Sequence, residues 1–178
     1  PGLGNPSDFF LVLFQGAMAG GLSQFLPEWE SQMDPGLVHM IKRGLEYSAV
    51  DYIQARIERY DFYAKVQEFF ESYDLLLTPA VAVPAFEVDR IAPDPDTMDA
   101  EDVFAWTPFS FPFNATGHPA ASVPCGFTAD GLPIGLQIVG RLHEDRRVLQ
   151  AAAAFERLAP WADKLGVIAV EEGKELDT

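Results

Sequence analysis

Two apolar runs near the end of the chain leave few folds open. They are Ala121-Ser122-Val123-Pro124-Cys125-Gly126-Phe127 and Ile134-Gly135-Leu136-Gln137-Ile138-Val139, with Thr128-Ala129-Asp130-Gly131 between them. Asp-Gly between strand-like runs is a strong hairpin signal. The spacing predicts an antiparallel hairpin over residues 121–127 and 134–139, buried on at least one face. Pro124 cannot donate to a ladder, so its strand is expected at an edge, bulged or short. Gly135 and Gly140 read as close backbone approaches or bends. A hairpin alone is compatible with many functions. The residue order is rarer: Asn114-Ala115-Thr116-Gly117-His118-Pro119-Ala120-Ala121-Ser122-Val123-Pro124-Cys125-Gly126, then Asp130-Gly131-Leu132-Pro133-Ile134-Gly135-Leu136-Gln137.

Helical patterns precede the hairpin. Asn5-Pro6-Ser7-Asp8 offers cap residues before Phe9, and an apolar pattern runs to about Leu26. Gly16, Gly20 and Gly21 weaken its middle and suggest close helix packing. Asp34-Pro35 suits an N-cap followed by proline at the first helical position, opening a helix to about Gly44. Ser48 with Asp51 three residues on resembles a capping box, and Tyr47 and Tyr52 stand where a hydrophobic staple would pair them. Ile53, Ile57, Tyr60 and Ala64 recur at helical spacing, followed by Val66, Phe69, Phe70 and Tyr73. One helix of roughly 37 Å from Ala49 to Tyr73 is predicted. A strand at Leu75–Thr78 follows. Residues 79–105 then carry prolines and many acids with little periodicity, the mark of a long functional or variable loop. A last helix is expected over Asp145–Leu158, stopped by Pro160. The chain thus divides into a helical part (1–73), a part with strands, loop and final helix (74–158), and an acidic tail (159–178). No internal repeat is present. One α/β domain is expected, a mixed β-sheet with flanking helices.

Composition excludes several functions. The formal net charge is −15 and the isoelectric point about 4.3. Such a chain repels nucleic acid and anionic membranes, and no basic cluster offsets the charge. Apolar residues make up 48%, too many for disorder and enough to suggest surface meant for another part of a larger protein. One cysteine excludes an internal disulfide and gives no zinc pattern. The run from Phe9 to Phe14 is too short to span a bilayer and lacks the basic flank of a signal peptide. A cytoplasmic location with no membrane association is expected. The first residue is Pro1 in place of Met, which reads as a cut or engineered N-terminus.

The ordered string from Asn114 to Gln137 resembles the C-terminal core of the amidase signature family. Leu75-Leu76-Leu77-Thr78-Pro79 is similar to that family's strand ending in Thr-Pro, and Trp106 to Asn114 to the segment leading into its glycine turn. The final helix also fits, whereas the first 70 residues match only as a helical pattern. The resemblance implies the C-terminal part of the amidase signature fold, about a third of a complete member. It also implies an amide hydrolase without metal or organic cofactor. In such an enzyme a serine attacks the amide carbonyl, a lysine relays its proton through a second serine, and backbone N–H groups stabilise the oxyanion. Those residues belong to a Gly-Gly-Ser-Ser-Gly-Gly-Ser kind of segment and an upstream lysine, neither present in these 178 residues. The implied partners are the N-terminal part of the same enzyme and a small amide, with a homo-oligomer also open. The implied loop 79–105 flanks the substrate entrance.

The residues offer no catalytic set of their own. None of the seven serines lies in Gly-x-Ser-x-Gly or Ser-x-x-Lys. Ser122 falls inside a predicted strand, which favours packing or a hydrogen bond. Cys125 and His118 could be imagined as a thiol–imidazole pair, but a buried inert thiol is the expectation. His39 and His143 have no partner pattern and are placed on helical or loop surfaces. Glu87, Asp89, Asp94, Asp96, Asp99, Glu101 and Asp102 lack the spacing of a calcium loop and read as a solvated acidic loop. Around the turn, Asn114, Thr116 and Gly117 can tie down the backbone, and Phe109, Phe111 and Phe113 alternate with Ser110 and Pro112. The resemblance implies that Thr107, Phe111, Asn114 and Thr116 form pocket wall or support it; a turn without substrate contact is the alternative. In the family's transamidating members, glutamine's ammonium is held by an aspartate seven residues before this asparagine. Thr107 stands there, which argues for a neutral or aromatic amide. Two readings follow: the C-terminal portion of an amide hydrolase, inactive alone, or a non-catalytic binding or assembly domain on the same scaffold.

Overall fold

The computed structural model describes residues 2–88, 90, 93 and 106–162. Helices α1 (Ser7–Leu22), α2 (Leu26–Trp29), α3 (Pro35–Glu46) and α4 (Ala49–Ser72) lead into strand β1 (Leu75–Pro79). Then come α5 (Phe111–Thr116), β2 (Ala120–Phe127), β3 (Pro133–Gly140) and α6 (Asp145–Leu158). The predicted α/β class holds. The strands form one sheet in the order β1-β3-β2, antiparallel at both pairings. The mixed character expected is therefore not in these three strands. The reason is connectivity: β2 and β3 are joined by a tight hairpin, and β1 enters beside β3 from the opposite end.

Pro124 has the effect its chemistry requires. β2 is an edge strand, and its register against β3 shifts between Pro124 and Gly126, leaving Cys125 as the extra residue of a bulge. Thr128 closes the hairpin. Its N–H donates to the Leu132 carbonyl at 2.8 Å, and its Oγ1 accepts the Leu132 N–H at 3.0 Å.

The helix starts follow local chemistry. Asp34 caps α3 by accepting from Leu37 N–H at 3.0 Å. Ser48 and Asp51 make the reciprocal capping box of α4, and those hydrogen bonds lower the Asp51 pKa. The two tyrosines expected to form a staple both reach α1: Tyr47 donates to Gln15 Oε1 at 2.7 Å, and the Tyr52 ring lies against Gly16. Of the three glycines expected to permit close packing in α1, Gly16 meets Tyr52, while Gly20 and Gly21 meet no neighbour among the described residues.

The core lies between α1, α4, α5 and the sheet. Phe9, Phe10, Phe62, Val66, Phe70, Phe111 and Phe113 are its main members, with Val139 beneath them. Phe10 stacks on Phe111 with centroids 5.1 Å apart, and Phe9 tilts against Phe62. Ser7–Gln32 is helical for 26 residues and is apolar and long enough by composition to cross a bilayer, more than the short run Phe9–Phe14 suggested. Only part of it is buried here, with Phe9, Phe10, Gln15 and Ala19 facing the interior. Buried Gln15 is hydrogen-bonded to Tyr47, and Gly44 of α3 sits directly on the Gln15 carbonyl. At the other end, Asp74 accepts from Arg147 at 2.7 Å and pairs with Arg141 at 3.2 Å, fastening β1 to the segment after β3. The α6 bounds match the sequence reading, and Val148 covers Gly140.

Candidate functional site

Segment 106–118 is braced from three sides. It enters beside β1, where Ala82 N–H donates to the Trp106 carbonyl at 2.9 Å. Ser110 Oγ donates to the Ala80 carbonyl at 2.7 Å. Buried Gln137, in the middle of β3, directs its amide to the Phe109 carbonyl at 2.7 Å and to Thr78 Oγ1 at 3.0 Å. A polar side chain inside an apolar strand is tolerated because its donors are used. From the far side, Arg59 of α4 donates to the Ala115 carbonyl at 2.5 Å.

The segment itself folds as a short helix where a turn was expected. Its phenylalanine alternation resembles strand spacing, but Pro112 lies in the first turn and Gly117 caps the end. Gly117 has φ +76 and donates to the Phe113 carbonyl at 2.7 Å, a conformation an L-residue with a β-carbon adopts at a cost. As a result Phe111 and Phe113 are both core residues.

The structure separates the four candidate residues. Thr107 follows Trp106, its carbonyl accepting from Ser110 N–H at 3.0 Å. Phe111 is interior, stacked on Phe10. Asn114 is exposed on α5. Thr116 is buried: its Oγ1 donates to the Pro112 carbonyl at 3.3 Å and so accepts Nδ1–H of His118 at 2.8 Å. That tautomer leaves His118 Nε2 a bare acceptor, buried without a partner among the described residues. The ring stacks on Phe70 with centroids 5.1 Å apart, and burial lowers its pKa. Cys125 is exposed on the β2 bulge, not buried as expected. His118 is interior, so the two make no thiol–imidazole pair. His39 is half-buried on α3 and His143 exposed in a loop. Of the acidic loop only Glu87 is described, paired with Arg90 at 3.3 Å; the other acids fall outside the described residues.

A cleft of about 750 Å³ opens at the end of β1 and β3. Val81, Val83, Phe86, Trp106 and Ile134 give it an apolar wall, and Phe86 meets Trp106 edge-to-face at 5.4 Å. These wall residues were not singled out in the sequence. The signal that could have found them is the Val81–Phe86 apolar run directly after Thr78-Pro79.

The Amidase family model matches residues 18–149. This chain belongs to the amidase family. The match reaches back into α1, so the helical half belongs to the family as well as the hairpin. The acylamidase of Rhodococcus erythropolis is 36% identical over 171 residues, which is 92% of this chain and 35% of that protein. A glutamyl-tRNA(Gln) amidotransferase chain of Brevibacillus brevis is 44% identical over 97 residues, 53% of this chain and 19% of that one. Among solved structures, a bacterial aryl acylamidase of the amidase signature family superimposes with TM-score 0.74 at 25% identity, covering 89% of this chain and 34% of its own. The 6-aminohexanoate cyclic dimer hydrolase does so with TM-score 0.72 at 26% identity, covering 85% and 35%. The amidase chain therefore spans about a third of the length of the acylamidase it matches.

Proposed function

We propose that this amidase chain is the C-terminal portion of an amide hydrolase that converts an amide and water to a carboxylic acid and an amine or ammonia. The nucleophilic serine, its bridging serine and the lysine come, in this reading, from the N-terminal part of the same enzyme. The chain contributes a wall of the substrate site and the support behind it. The apolar cleft bounded by Val81, Phe86, Trp106 and Ile134 is the observation that carries the substrate class. Its lining suits an aromatic or aliphatic group, and its two charged members, Glu87 and Arg90, are paired with each other at 3.3 Å. Thr107, at the position where the transamidating members carry an aspartate, supports a neutral amide. The names of the acylamidase and aryl acylamidase relatives agree with that choice. In this reading Thr107 extends the wall from Trp106, while Asn114, Thr116 and Phe111 support it. A cytoplasmic location belongs to the same proposal, since a lone cysteine suits a reducing compartment.

The test is amine release from a panel of anilides, aliphatic amides and glutamine. It compares the complete protein with the 178-residue chain alone, both free of host amidases. The complete protein is expected to turn over anilides in preference to glutamine, and the chain alone nothing. Trp106→Ala in the complete protein should raise KM for anilides several-fold with a smaller effect on acetamide. Turnover by the isolated chain, abolished by Ser122→Ala, would overturn the assignment.

A further inference from the structure

Among the described residues the apolar cleft has one charged element, a single turn. The Arg90 N–H closes that turn by donating to the Glu87 carbonyl at 3.2 Å. Across it Arg90 Nε stands 3.3 Å from Glu87 Oε2. Both residues line the cleft with Val81, Phe86, Trp106 and Ile134. Phe86, directly before Glu87, meets Trp106 edge-to-face, so the turn begins at the aromatic wall. A charge on a molecule held against that wall is read here.

The grip on the guanidinium is loose. The Arg90 side chain is 42% exposed and that of Glu87 64%, and an exposed ion pair contributes little. The other contact, from Nη1 to the Pro93 carbonyl, is long at 3.4 Å. These two contacts engage two of the five N–H donors of a guanidinium. A carboxylate on a bound molecule would compete well for such an arginine, since it can accept from two N–H groups at once. Glu87 opposes it twice. It occupies the cation, and its own charge repels a second carboxylate at the same place.

We propose that Glu87 is a specificity-determining residue: by holding Arg90 it makes the cleft select uncharged amides against amides of the same apolar body that carry a carboxylate. This selectivity rests on the reading of the cleft as the substrate wall. It has a separate origin from the apolar lining, which would disfavour a carboxylate whatever stood at position 87. With Glu87 made neutral, Arg90 becomes a cation beside an apolar wall. That pairing suits an amide with an apolar body and a carboxylate end.

The test is amine release by the complete protein from acetanilide and two carboxylated relatives, one with the carboxylate on the ring and one with it at the end of the acyl chain. The quantity read is the ratio of kcat/KM for each carboxylated anilide to that for acetanilide. The unaltered protein is expected to favour acetanilide over both. Glu87→Gln should raise the ratio at least fivefold for one of the two, through KM, and added salt should shrink the gain. Arg90→Gln alone should lower the ratio, and Glu87→Gln with Arg90→Gln should lose the gain. Both side chains are exposed enough for the fold to persist, with circular dichroism as the control. Acetanilide turnover with a ratio indifferent to Glu87→Gln, or a gain that survives Arg90→Gln, would overturn the role of Glu87 alone. No turnover of any anilide by the complete protein would overturn the substrate reading and this selectivity with it.

Discussion

Arg59 on α4 donates from Nε to the carbonyl of Ala115 at 2.5 Å, joining residues 56 positions apart in the chain. The acceptor lies in the last turn of α5, where orphan carbonyls need partners and cations are favoured. The contact fixes the segment that supports the candidate site.

Arg59→Leu removes that donor and is expected to destabilise the fold by about 1.5–3 kcal/mol, the range for a hydrogen bond to a charged group. Amide exchange at Gly117 and His118 should accelerate more than exchange in β3. Urea unfolding with an unchanged midpoint and uniform exchange rates would show that Arg59 holds nothing.

Gln137 provides the second brace. Gln137→Leu preserves the volume but strands the Phe109 carbonyl and takes from Thr78 Oγ1 the donor it accepts, leaving that hydroxyl its bond to the Pro79 carbonyl. A loss of about 1–3 kcal/mol is expected from the desolvated groups. Anilide KM in the complete protein should rise as well, because Trp106, at the start of the segment that Gln137 braces, lines the apolar cleft. A variant as stable as the parent would mean that water reaches both groups.

Local chemistry made much of the fold legible. The Asp-Gly turn, the proline bulge, the Ser48 and Asp34 caps and the α6 stop each depend on residues within a few positions of one another, and each stands where the pattern put it. The site was less legible because its parts meet across long separations. Nothing in the α4 pattern distinguishes Arg59 from its charged neighbours. The alternation of Phe109, Phe111 and Phe113 resembles strand spacing, but α5 turns the last two inward. Gln137 did carry a signal, since a lone amide in an apolar strand implies a satisfied buried group. Cys125 read as buried because its neighbours are apolar, but the bulge turns it outward.

Gly44 records a helix contact that no periodicity reveals. A β-carbon there would stand 2.0 Å from the Gln15 carbonyl oxygen and 2.8 Å from the Ala19 β-carbon. The first obstacle is backbone, so it yields only if α1 and α3 separate. Gly44→Ala should cost about 1–3 kcal/mol or more, as overpacking typically does, despite alanine's higher helix propensity. Gly20→Ala on the open side of α1 serves as the control and should be neutral or stabilising. Thermal melts of both variants decide the matter; equal midpoints would remove the proposed contact.

His118 should make stability depend on pH in a defined window. Its ring is buried, its Nδ1–H is committed to Thr116, and Nε2 has no partner among the described residues to receive a proton's charge. Burial lowers its folded pKa below the ordinary 6.5. The unfolded chain therefore binds the proton more readily than the folded one. Stability from this group is complete above pH 6.5 and falls as the pH drops below that value toward the folded pKa, with a slope of at most about 1.4 kcal/mol per pH unit for one proton. His118→Phe keeps a ring on Phe70 and removes the titration. It should lower stability at neutral pH through the lost Thr116 hydrogen bond, while flattening the decline between about pH 5 and 7, where histidine is the side chain that ordinarily titrates. Urea midpoints across that range measure both effects. Parallel curves for the two proteins would place the titrating group elsewhere.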